Sequence, residues 1–340
     1  MAEWRNWSGS VVARPETLAR PKTEAELSAI IAAAGHVRVA GAGHSFMPLC
    51  QTDGVLVSLA DLEGGVEVDS SEGTAWVPAG MPIGALTEAL WANGFSLANQ
   101  GDIDKQAIAG ALATATHGTG KTLGALSTFA RAFRLVLADG SVVECDAARD
   151  ADLFEAQRVS LGALGVMARV KITVVPAYRL SESLRRAPLE EILGQWDALT
   201  ARHRHVEFFI FPYADQGLLK ILDPVETGDD PPASDIESAA IQFVSDVAHR
   251  APFMAATLQR LLTLAMTPST RAAPAHRIFP SERDVRFEEM EYEIPAARGP
   301  DALRAAIAEV RARRLPIIFP LEYRVVAGDD MWLSPMNGGE

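Results

Sequence analysis

Val-Arg-Val-Ala-Gly-Ala-Gly-His-Ser-Phe, residues 37–46, is the most informative segment of the chain. Its alternating start predicts a strand, which runs straight into a turn of small residues at 41–43. Two glycines permit backbone angles closed to other residues, so successive N–H groups can point into one concavity and hold a phosphate. The segment therefore predicts an anion site with His44 at its mouth.

A glycine pair after a strand is also how a Rossmann dinucleotide loop begins. Asp61 even lies about twenty residues further on, where the ribose-binding acid of that loop would be. A Rossmann loop must open a helix, however, whereas Pro48 and a turn at residues 51–54 lead here into a second strand at 55–59. These residues argue against a Rossmann fold, but on their own they fit a tight turn with a core histidine equally well.

A second segment, residues 107–120, reads A-I-A-G-A-L-A-T-A-T-H-G-T-G. Such a run of small residues, hydroxyls and glycines lets the backbone pack closely against a flat or extended ligand. Its N–H and hydroxyl groups can bind phosphate oxygens. We therefore expect the two glycine loops to grip one cofactor.

These two loops, with S-L-G-A-L-G-V at residues 160–166, resemble the vanillyl-alcohol-oxidase type of FAD-binding domain. Residues 321–335 resemble the strand that carries a Glu-x-Arg pair in the aldonolactone and alditol oxidases of that group. The resemblance covers nearly the whole chain, and the four motifs come in the right order. It implies an α+β fold, with a two-subdomain PCMH-type FAD-binding domain over residues 12–177 and an α+β substrate (cap) domain over residues 178–340.

The resemblance also implies which residues hold FAD. In the family, the histidine of the first loop is bonded to the flavin 8α-methyl group, which assigns that role to His44; a neutral imidazole is nucleophilic near physiological pH. His117 is implied as an FAD contact, although a histidine in a tight glycine loop also commonly hydrogen-bonds its neighbouring backbone. The implied FAD-binding residues are Gly41, Ala42, Gly43, His44, Ser45, Gly110, Thr114, Thr116, His117, Gly118, Gly120, Ser160, Gly162, Gly165 and Val166.

Four residues are implied at the reaction centre. Glu322 and Arg324 are two apart on a predicted strand and share a face, where the plain interpretation is a surface ion pair of little consequence. Beside a flavin, the guanidinium would stabilise developing negative charge, and the carboxylate would orient the substrate hydroxyl or accept its proton. By resemblance, Asp102 touches the substrate, and Gly101 lies near the flavin, where a small residue leaves a path for O2.

The implied function is FAD-dependent oxidation of a sugar-1,4-lactone or polyol hydroxyl, with hydride passing to flavin N5 and O2 reduced to H2O2. The alternatives are an FAD-linked dehydrogenase that uses a quinone or cytochrome, and an inert flavin-binding fragment. The last arises because the family continues into a His-Trp-Gly-Lys segment, whose lysine lies at the active site, whereas this sequence stops at Glu340. The substrate domain is therefore expected to be incomplete at its C-terminus.

The composition and net charge of the chain limit the kinds of partner that it is expected to bind. A chain of 340 residues suits two domains, and its net charge of -13 argues against a nucleic-acid partner. Two cysteines and an N-terminus without an apolar signal core predict a cytoplasmic protein, and a peripheral membrane contact is not indicated. His203 and His205 share a strand face without a third ligand at suitable spacing, so no metal is expected.

Local signals predict several elements. A capping box at Thr23 and Glu26 predicts a helix over residues 23–34, and Asp139-Gly140 between apolar runs predicts a hairpin. Further helices are expected at residues 82–94, 189–199, 239–265 and 301–313, strands at 166–174, 206–211, 287–294 and 317–326, and a surface loop at 223–235.

Overall fold

The computed structural model of the chain describes residues 2–230, 242, 244–248, 250–281 and 285–339. The strands are β1 Trp4–Arg5, β2 Val12–Ala13, β3 Thr17–Ala19, β4 Val37–Ala40, β5 Val55–Ser58, β6 Glu67–Asp69, β7 Thr74–Pro78, β8 Phe95–Ser96, β9 Ala130–Val136, β10 Val142–Asp146, β11 Val166–Thr173, β12 Val175–Pro176, β13 Arg179–Pro188, β14 His205–Ile210, β15 Gln216–Val225, β16 Ser269–Pro274 and β17 Leu321–Arg324. The helices are α1 Glu24–Ala33, α2 Ile83–Ala92, α3 Ile108–Ala113, α4 Ala151–Arg158, α5 Leu189–Arg202, α6 Ala255–Ala265, α7 Ala275–Ile278 and α8 Gly299–Arg313.

Two larger sheets and the two-stranded ribbons β1-β2 and β8-β12 form the described N-terminal part. One is parallel with strand order β3-β5-β4, and the other is antiparallel with order β10-β9-β11-β7-β6. A single apolar core joins them, because α1 and α2 place Leu27, Leu86 and Leu90 in the same buried cluster as Phe133 of β9. The segment after β4 contains no helix before β5, as expected for a loop that is not of the Rossmann type.

The C-terminal part is built on an antiparallel sheet of order β16-β13-β15-β14-β17. Helices α5 and α8 cover one face of this sheet, where Trp196, Leu303 and Ile307 pack with Phe208 and Leu219. The opposite face of the sheet meets the second glycine loop. There the Thr119 hydroxyl donates to Val206 O (2.8 Å), and Gly120 N–H donates to Val325 O (2.8 Å).

The mixture of helices and sheets confirms the α+β fold class, and the strongest local signals are confirmed. Helix α1 is capped by the Thr23 hydroxyl, which accepts from Glu26 N–H (3.2 Å), while the Glu26 carboxylate accepts from Lys22 N–H (2.8 Å). The β9–β10 hairpin turns at Gly140, whose φ of +82° is one that glycine adopts without strain.

Two element predictions are wrong, and the loop expected over residues 223–235 begins later than predicted, because residues 223–225 belong to β15. Residues 287–294 are not a strand, because no strand in the described part of the chain pairs with their backbone, and Glu291 and Glu293 contact His117 instead. The helix expected over residues 239–265 is broken at Pro252, which lacks an N–H for the helical ladder. Part of that helix, and residues 231–235 of the expected loop, lie outside the described residues. None of the helices in the described part of the chain is long and apolar enough to cross a membrane.

Candidate active site

A cavity of about 340 Å³ lies where several separate segments of the N-terminal part converge. They include the loop after β4, the end of β5, the turn between β7 and α2, the entry and body of α3, and the connection from α4 to β11. Eleven of the fifteen predicted cofactor residues line this cavity: Gly41, Ala42, Gly43, His44, Ser45, Gly110, Thr114, Ser160, Gly162, Gly165 and Val166. The fold thus brings together segments that are more than one hundred residues apart in the sequence.

Glycine serves different purposes at two positions in the cavity wall. Gly43 has a φ of +74° and accepts a hydrogen bond from Trp7 N–H (2.8 Å), and a Cβ there would lie 3.1 Å from the Trp4 ring. At Gly110 in α3, an added Cβ would meet no protein atom within 4 Å. Gly43 therefore serves the turn, whereas Gly110 keeps open the space that a ligand would occupy.

The neighbours of His44 fix its ring position and lower its pKa. Its ring stacks on Trp7, with centroids 5.3 Å apart and planes 26° apart. Partial burial lowers the pKa of His44, and the nearby Asp104 opposes that shift only in part. The imidazole is therefore neutral at physiological pH and has a free electron pair, which a nucleophile requires.

Gln157 supplies a test of what the cavity accepts. It projects from α4 into the lining, is 1% exposed, and its Oε1 has no hydrogen-bond partner among the described residues. A buried acceptor without a partner is costly, so a ligand that donates here would bind favourably. The amino group of adenine is such a donor, and the glycine turn suits a pyrophosphate; the lining therefore fits FAD.

A cluster of charged side chains lies where the second glycine loop meets β17. The Arg324 guanidinium is 2.5 Å from Glu291 Oε1 and 3.2 Å from Glu322 Oε1. His117 Nε2 lies 3.2 Å from Glu291 and 3.3 Å from Glu293, while its Nδ1–H donates to Gly118 O (2.8 Å). Two cations therefore share three carboxylates at one end of the C-terminal sheet.

Burial and charge oppose one another in this cluster. Burial alone would lower the pKa of His117, but hydrogen bonds to Glu291 and Glu293 raise it to about 9. Burial would raise the pKa of Glu291, but His117 and Arg324 lower it to about 2. Burial also opposes the charge on Arg324, yet Glu322 and Glu291 raise its pKa further. His117, Glu291 and Arg324 are therefore charged at neutral pH.

The four predicted cofactor residues outside the cavity lining have other contacts. Thr116 accepts a hydrogen bond from the Gln106 amide (3.4 Å), Gly118 packs against the backbone of residue 100, and Gly120 bonds to Val325. His117 makes the backbone bond that a tight glycine loop allows and also joins the charged cluster. The structure thus places His117 and Gly120 between the two parts of the chain.

The remaining predicted site residues lie beside this cluster. Gly101 is buried, and a Cβ added to it would approach His117 O to 3.1 Å. Asp102 accepts from Ser281 N–H (3.0 Å) through its carbonyl, and its charge acts on Arg324. The catalytic roles of Gly101, Asp102, Glu322 and Arg324 stay predictions.

The sequence interpretation missed the acidic partners of the cluster. Glu291 and Glu293 lie in the stretch that was expected to be a plain strand. The available signal was an alternation of glutamates with large apolar residues over positions 289–294, which places three acids on one side of an extended chain.

His117, Glu291 and Glu293 present ligand atoms within 4.8 Å of one another, as a metal site would. Arg324 already binds Glu291, and the pKa of His117 keeps that ring protonated at neutral pH, so both disfavour a cation there. The two histidines considered for metal in the sequence are engaged as well. His203 Nδ1 lies 2.5 Å from Asp223, and His205 Nδ1–H donates to Thr119 O (2.7 Å).

Comparison with known proteins gives the site its context. Residues 15–146 match an FAD-binding domain family, and residues 170–340 match the D-arabinono-1,4-lactone oxidase family. The L-gulono-1,4-lactone dehydrogenase of Mycobacterium tuberculosis is 39% identical over 98% of this chain and 80% of its own length. The alditol oxidase of a Streptomyces species is 30% identical over 98% of this chain and 79% of its own length.

A solved structure resembles the fold. A cholesterol oxidase from Brevibacterium sterolicum superimposes on this chain with a TM-score of 0.80 and 16% sequence identity. The superposition covers 95% of this chain and 71% of the oxidase chain. At that identity the likeness concerns the fold, which is that of the PCMH-type FAD-binding oxidases. The family matches and the relatives together show that this chain is an FAD-dependent oxidoreductase and belongs to the D-arabinono-1,4-lactone oxidase family of aldonolactone and alditol oxidases.

Proposed function

We propose that this protein oxidises a hydroxyl group of a sugar-1,4-lactone or an alditol and passes the electrons to O2, forming H2O2. The observation that carries the proposal is the partly buried Glu322–Arg324 pair on β17, beside the second glycine loop, whose side chains are 25% and 20% exposed. A surface ion pair would need no such burial. Relatives whose names specify lactones or alditols support the substrate class.

The side chains of this chain have separate roles in the proposal. Bound FAD supplies the acceptor for the two electrons of the C–H bond. Glu322 holds the substrate hydroxyl and takes its proton. Arg324 is fixed by two carboxylates and is therefore already oriented to stabilise negative charge as it develops. Asp102, whose charge acts on Arg324, contacts a further substrate hydroxyl.

The test is anaerobic mixing of the purified flavoprotein with L-gulono-1,4-lactone, D-arabinono-1,4-lactone or xylitol in a stopped-flow instrument. We expect at least one of them to bleach the flavin absorbance. Arg324→Met should bleach at least about 100-fold more slowly with the flavin content unchanged. Flavin that none of these compounds bleaches would identify an inert flavin-binding protein instead.

The electron acceptor needs its own experiment, because the relative from Mycobacterium tuberculosis is named a dehydrogenase. Gly101 favours O2 in our proposal, because its resemblance to the family places it close to the flavin, where the smallest residue leaves a path for O2. We expect the reduced enzyme to reoxidise rapidly in air and to release H2O2. Slow reoxidation in air together with fast reduction of a quinone-like dye would assign the dehydrogenase activity.

We also propose that His44 carries FAD covalently. Its neutral ring lines the cavity and is held in place by Trp7. Acid precipitation should leave yellow, fluorescent flavin in the wild-type pellet, whereas His44→Ala should release its flavin to the supernatant. Release from both proteins would show that the cofactor is held without a bond.

A further inference from the structure

The two-stranded ribbon β1–β2 lies against the loop that carries His44. Its turn is closed by Asn6, which is 5% exposed and whose side-chain oxygen accepts two backbone N–H groups of the turn, each at 3.0 Å. The Asn6 amide donates to Ser45 O (3.0 Å), and the next residue, Trp7, donates its N–H to Gly43 O (2.8 Å). Two consecutive residues of the ribbon therefore hold the carbonyl groups on both sides of His44.

The Trp7 ring lies between the His44 ring and the C-terminal part of the chain. It stacks on His44, with centroids 5.3 Å apart and planes 26° apart, and meets Phe287 edge-on, with centroids 5.3 Å apart and planes 75° apart. Phe287 in turn packs against Phe46 of the His44 loop (6.1 Å) and against Phe319 (5.2 Å). Aromatic contacts from both parts of the chain thus fix the plane of the Trp7 ring.

Packing against Trp7 is what orients the imidazole of His44. Among the described residues, no hydrogen bond reaches a ring nitrogen of His44, so no polar contact sets the rotation of the ring. His44 lines the cavity whereas Trp7 does not, so Trp7 contacts the imidazole from outside the space that a ligand would occupy. A change at Trp7 can therefore alter the direction of the imidazole nitrogens without removing a wall of the cavity.

The direction of those nitrogens decides whether a bond to FAD can form. Attachment makes a C–N bond from an imidazole nitrogen to the flavin 8α carbon and breaks a C–H bond of that carbon. The electron pair of the C–H bond reduces the flavin ring, the 8α carbon and the imidazole each lose one proton, and O2 accepts the two electrons and two protons as H2O2. The nitrogen must point its electron pair at the carbon, and a misplaced nucleophile can cost a factor of about 100 in rate.

We infer that Trp7 is a positioning residue for flavin attachment, which holds the His44 ring in the orientation that the new bond requires. This inference rests on the proposed function, because it takes His44 to carry FAD covalently. Phe287 supports Trp7 from the C-terminal part, so rapid attachment also depends on the contact between the two parts of the chain. The bond then forms fastest in chains whose C-terminal part is already in place.

A split between rate and affinity separates this role from a structural one. Because Trp7 is outside the cavity lining, its substitution should leave reversible FAD binding in place and slow only the bond-forming step. A residue that merely stabilises the fold would weaken both.

The experiment uses the full chain, produced in riboflavin-starved cells and then supplied with FAD. Covalent flavin is measured as fluorescence of the protein band after denaturing electrophoresis. The dependence of its formation rate on FAD concentration gives the Kd of the initial noncovalent complex and the limiting rate of bond formation. We expect Trp7→Leu to lower the limiting rate at least about tenfold and to leave Kd within about twofold of the wild type. Trp7→Phe keeps an aromatic ring against His44 and should restore most of the rate, and Phe287→Leu should slow the reaction by a smaller factor.

Trp91→Leu is the matched control. Trp91 of α2 packs against His276 of α7 with ring centroids 5.1 Å apart, so it is also an indole on a histidine between the two parts of the chain. Neither of these residues is in the lining of the cavity that contains His44. The limiting rate should therefore be that of the wild type.

Each outcome decides the matter. A wild-type limiting rate in Trp7→Leu, a fall in affinity as large as the fall in rate, or an equal loss of rate in Trp91→Leu would overturn the inference. If Trp7→Leu does not fold, the rate in Phe287→Leu decides, and a wild-type value there overturns the inference alone. A wild-type protein that binds FAD but forms no bond would remove covalent attachment from the proposed function, and this inference with it, while leaving the proposed oxidation in place.

Discussion

His117, a side chain in the second glycine loop, carries a positive charge that the neighbouring carboxylates stabilise. Its pKa is raised from the ordinary 6.5 to about 9, and that of Glu291 falls from 4.5 to about 2. The raised pKa of His117 gives a contribution to the stability of the fold that is complete below pH 6.5 and is lost as the pH rises through 9. A lowered carboxyl pKa stabilises it fully above pH 4.5 and is lost as pH falls through 2.

Both contributions are therefore complete only between pH 4.5 and 6.5. We expect the melting temperature of the wild type to exceed that of His117→Gln most in this window, and the difference to shrink steadily toward about pH 10. The measurement is a series of thermal melts of the two proteins across that range. The same comparison can be made in a Glu291→Gln background, which lacks the main partner carboxylate. There the loss of melting temperature caused by His117→Gln should vanish at a lower pH. A difference that does not change with pH would mean that His117 is neutral.

At the residue scale, the sequence identified groups but not their contacts. Short motifs were enough to predict His44, Glu322 and Arg324 as site residues, because each motif contains both the residue and its sequence neighbours. The Glu291–Arg324 contact joins positions 33 residues apart through a segment without regular structure, and no local pattern encodes it. The Lys220–Glu207 ion pair joins β15 to β14, and neither strand alone reveals that pairing.

Among the elements, α3 contains a glycine that the fold itself does not require. Gly110 lies in mid-helix, where glycine costs about 0.5–1 kcal/mol relative to alanine, and an added Cβ would meet no protein atom within 4 Å. It lines the cavity, however, so the methyl group would occupy cofactor space. Gly110→Ala should therefore raise the stability of the flavin-free protein and weaken its affinity for FAD.

Gly194 in α5 is the matched control for this prediction, because it is also a helical glycine whose Cβ would meet nothing within 4 Å, and it lies away from the cavity. Both substitutions are best made in a His44→Ala background, which allows titration with free FAD. Flavin fluorescence and urea melts then give affinity and stability separately. Unchanged FAD affinity in Gly110→Ala would remove this part of α3 from the binding site.

Elements whose ends are marked by local capping or turn residues were predictable from the sequence, and elements without such residues were not. The capping box of α1 and the Asp139-Gly140 turn fix their own ends through hydrogen bonds within a few residues. The stretch 287–294 has strand-like alternation, but a strand exists only where another backbone pairs with it. In the structure, Phe287 packs against Trp7 and Phe319, and the glutamates beyond it bind His117 and Arg324.

In the molecule as a whole, the second glycine loop connects the N-terminal part, which holds the cavity lined by His44, to the C-terminal sheet. Its Thr119 carbonyl accepts from His205 Nδ1–H (2.7 Å), and its hydroxyl donates to Val206 O on β14 (2.8 Å). The next residue, Gly120, bonds to Val325 beside β17. Its φ of +138° is suited to glycine, and a Cβ there would lie 3.0 Å from Arg204 O, so the close approach of the two parts depends on that glycine.

This junction predicts that a single hydroxyl couples the two parts of the chain. Thr119→Val keeps the shape of the side chain but leaves Val206 O without its hydroxyl donor, at a cost of about 1 kcal/mol. Hydrogen exchange should then rise in β14 and β17, and saturation with FAD should protect those strands less than it does in the wild type. Thr200→Val is the control, because that buried hydroxyl bonds within α5 to Trp196 O (3.0 Å) and should destabilise only its own surroundings. Exchange in β17 that is equal in Thr119→Val and the wild type would show that the coupling runs through Gly120 and His205 instead, since these make further hydrogen bonds between the loop and the sheet.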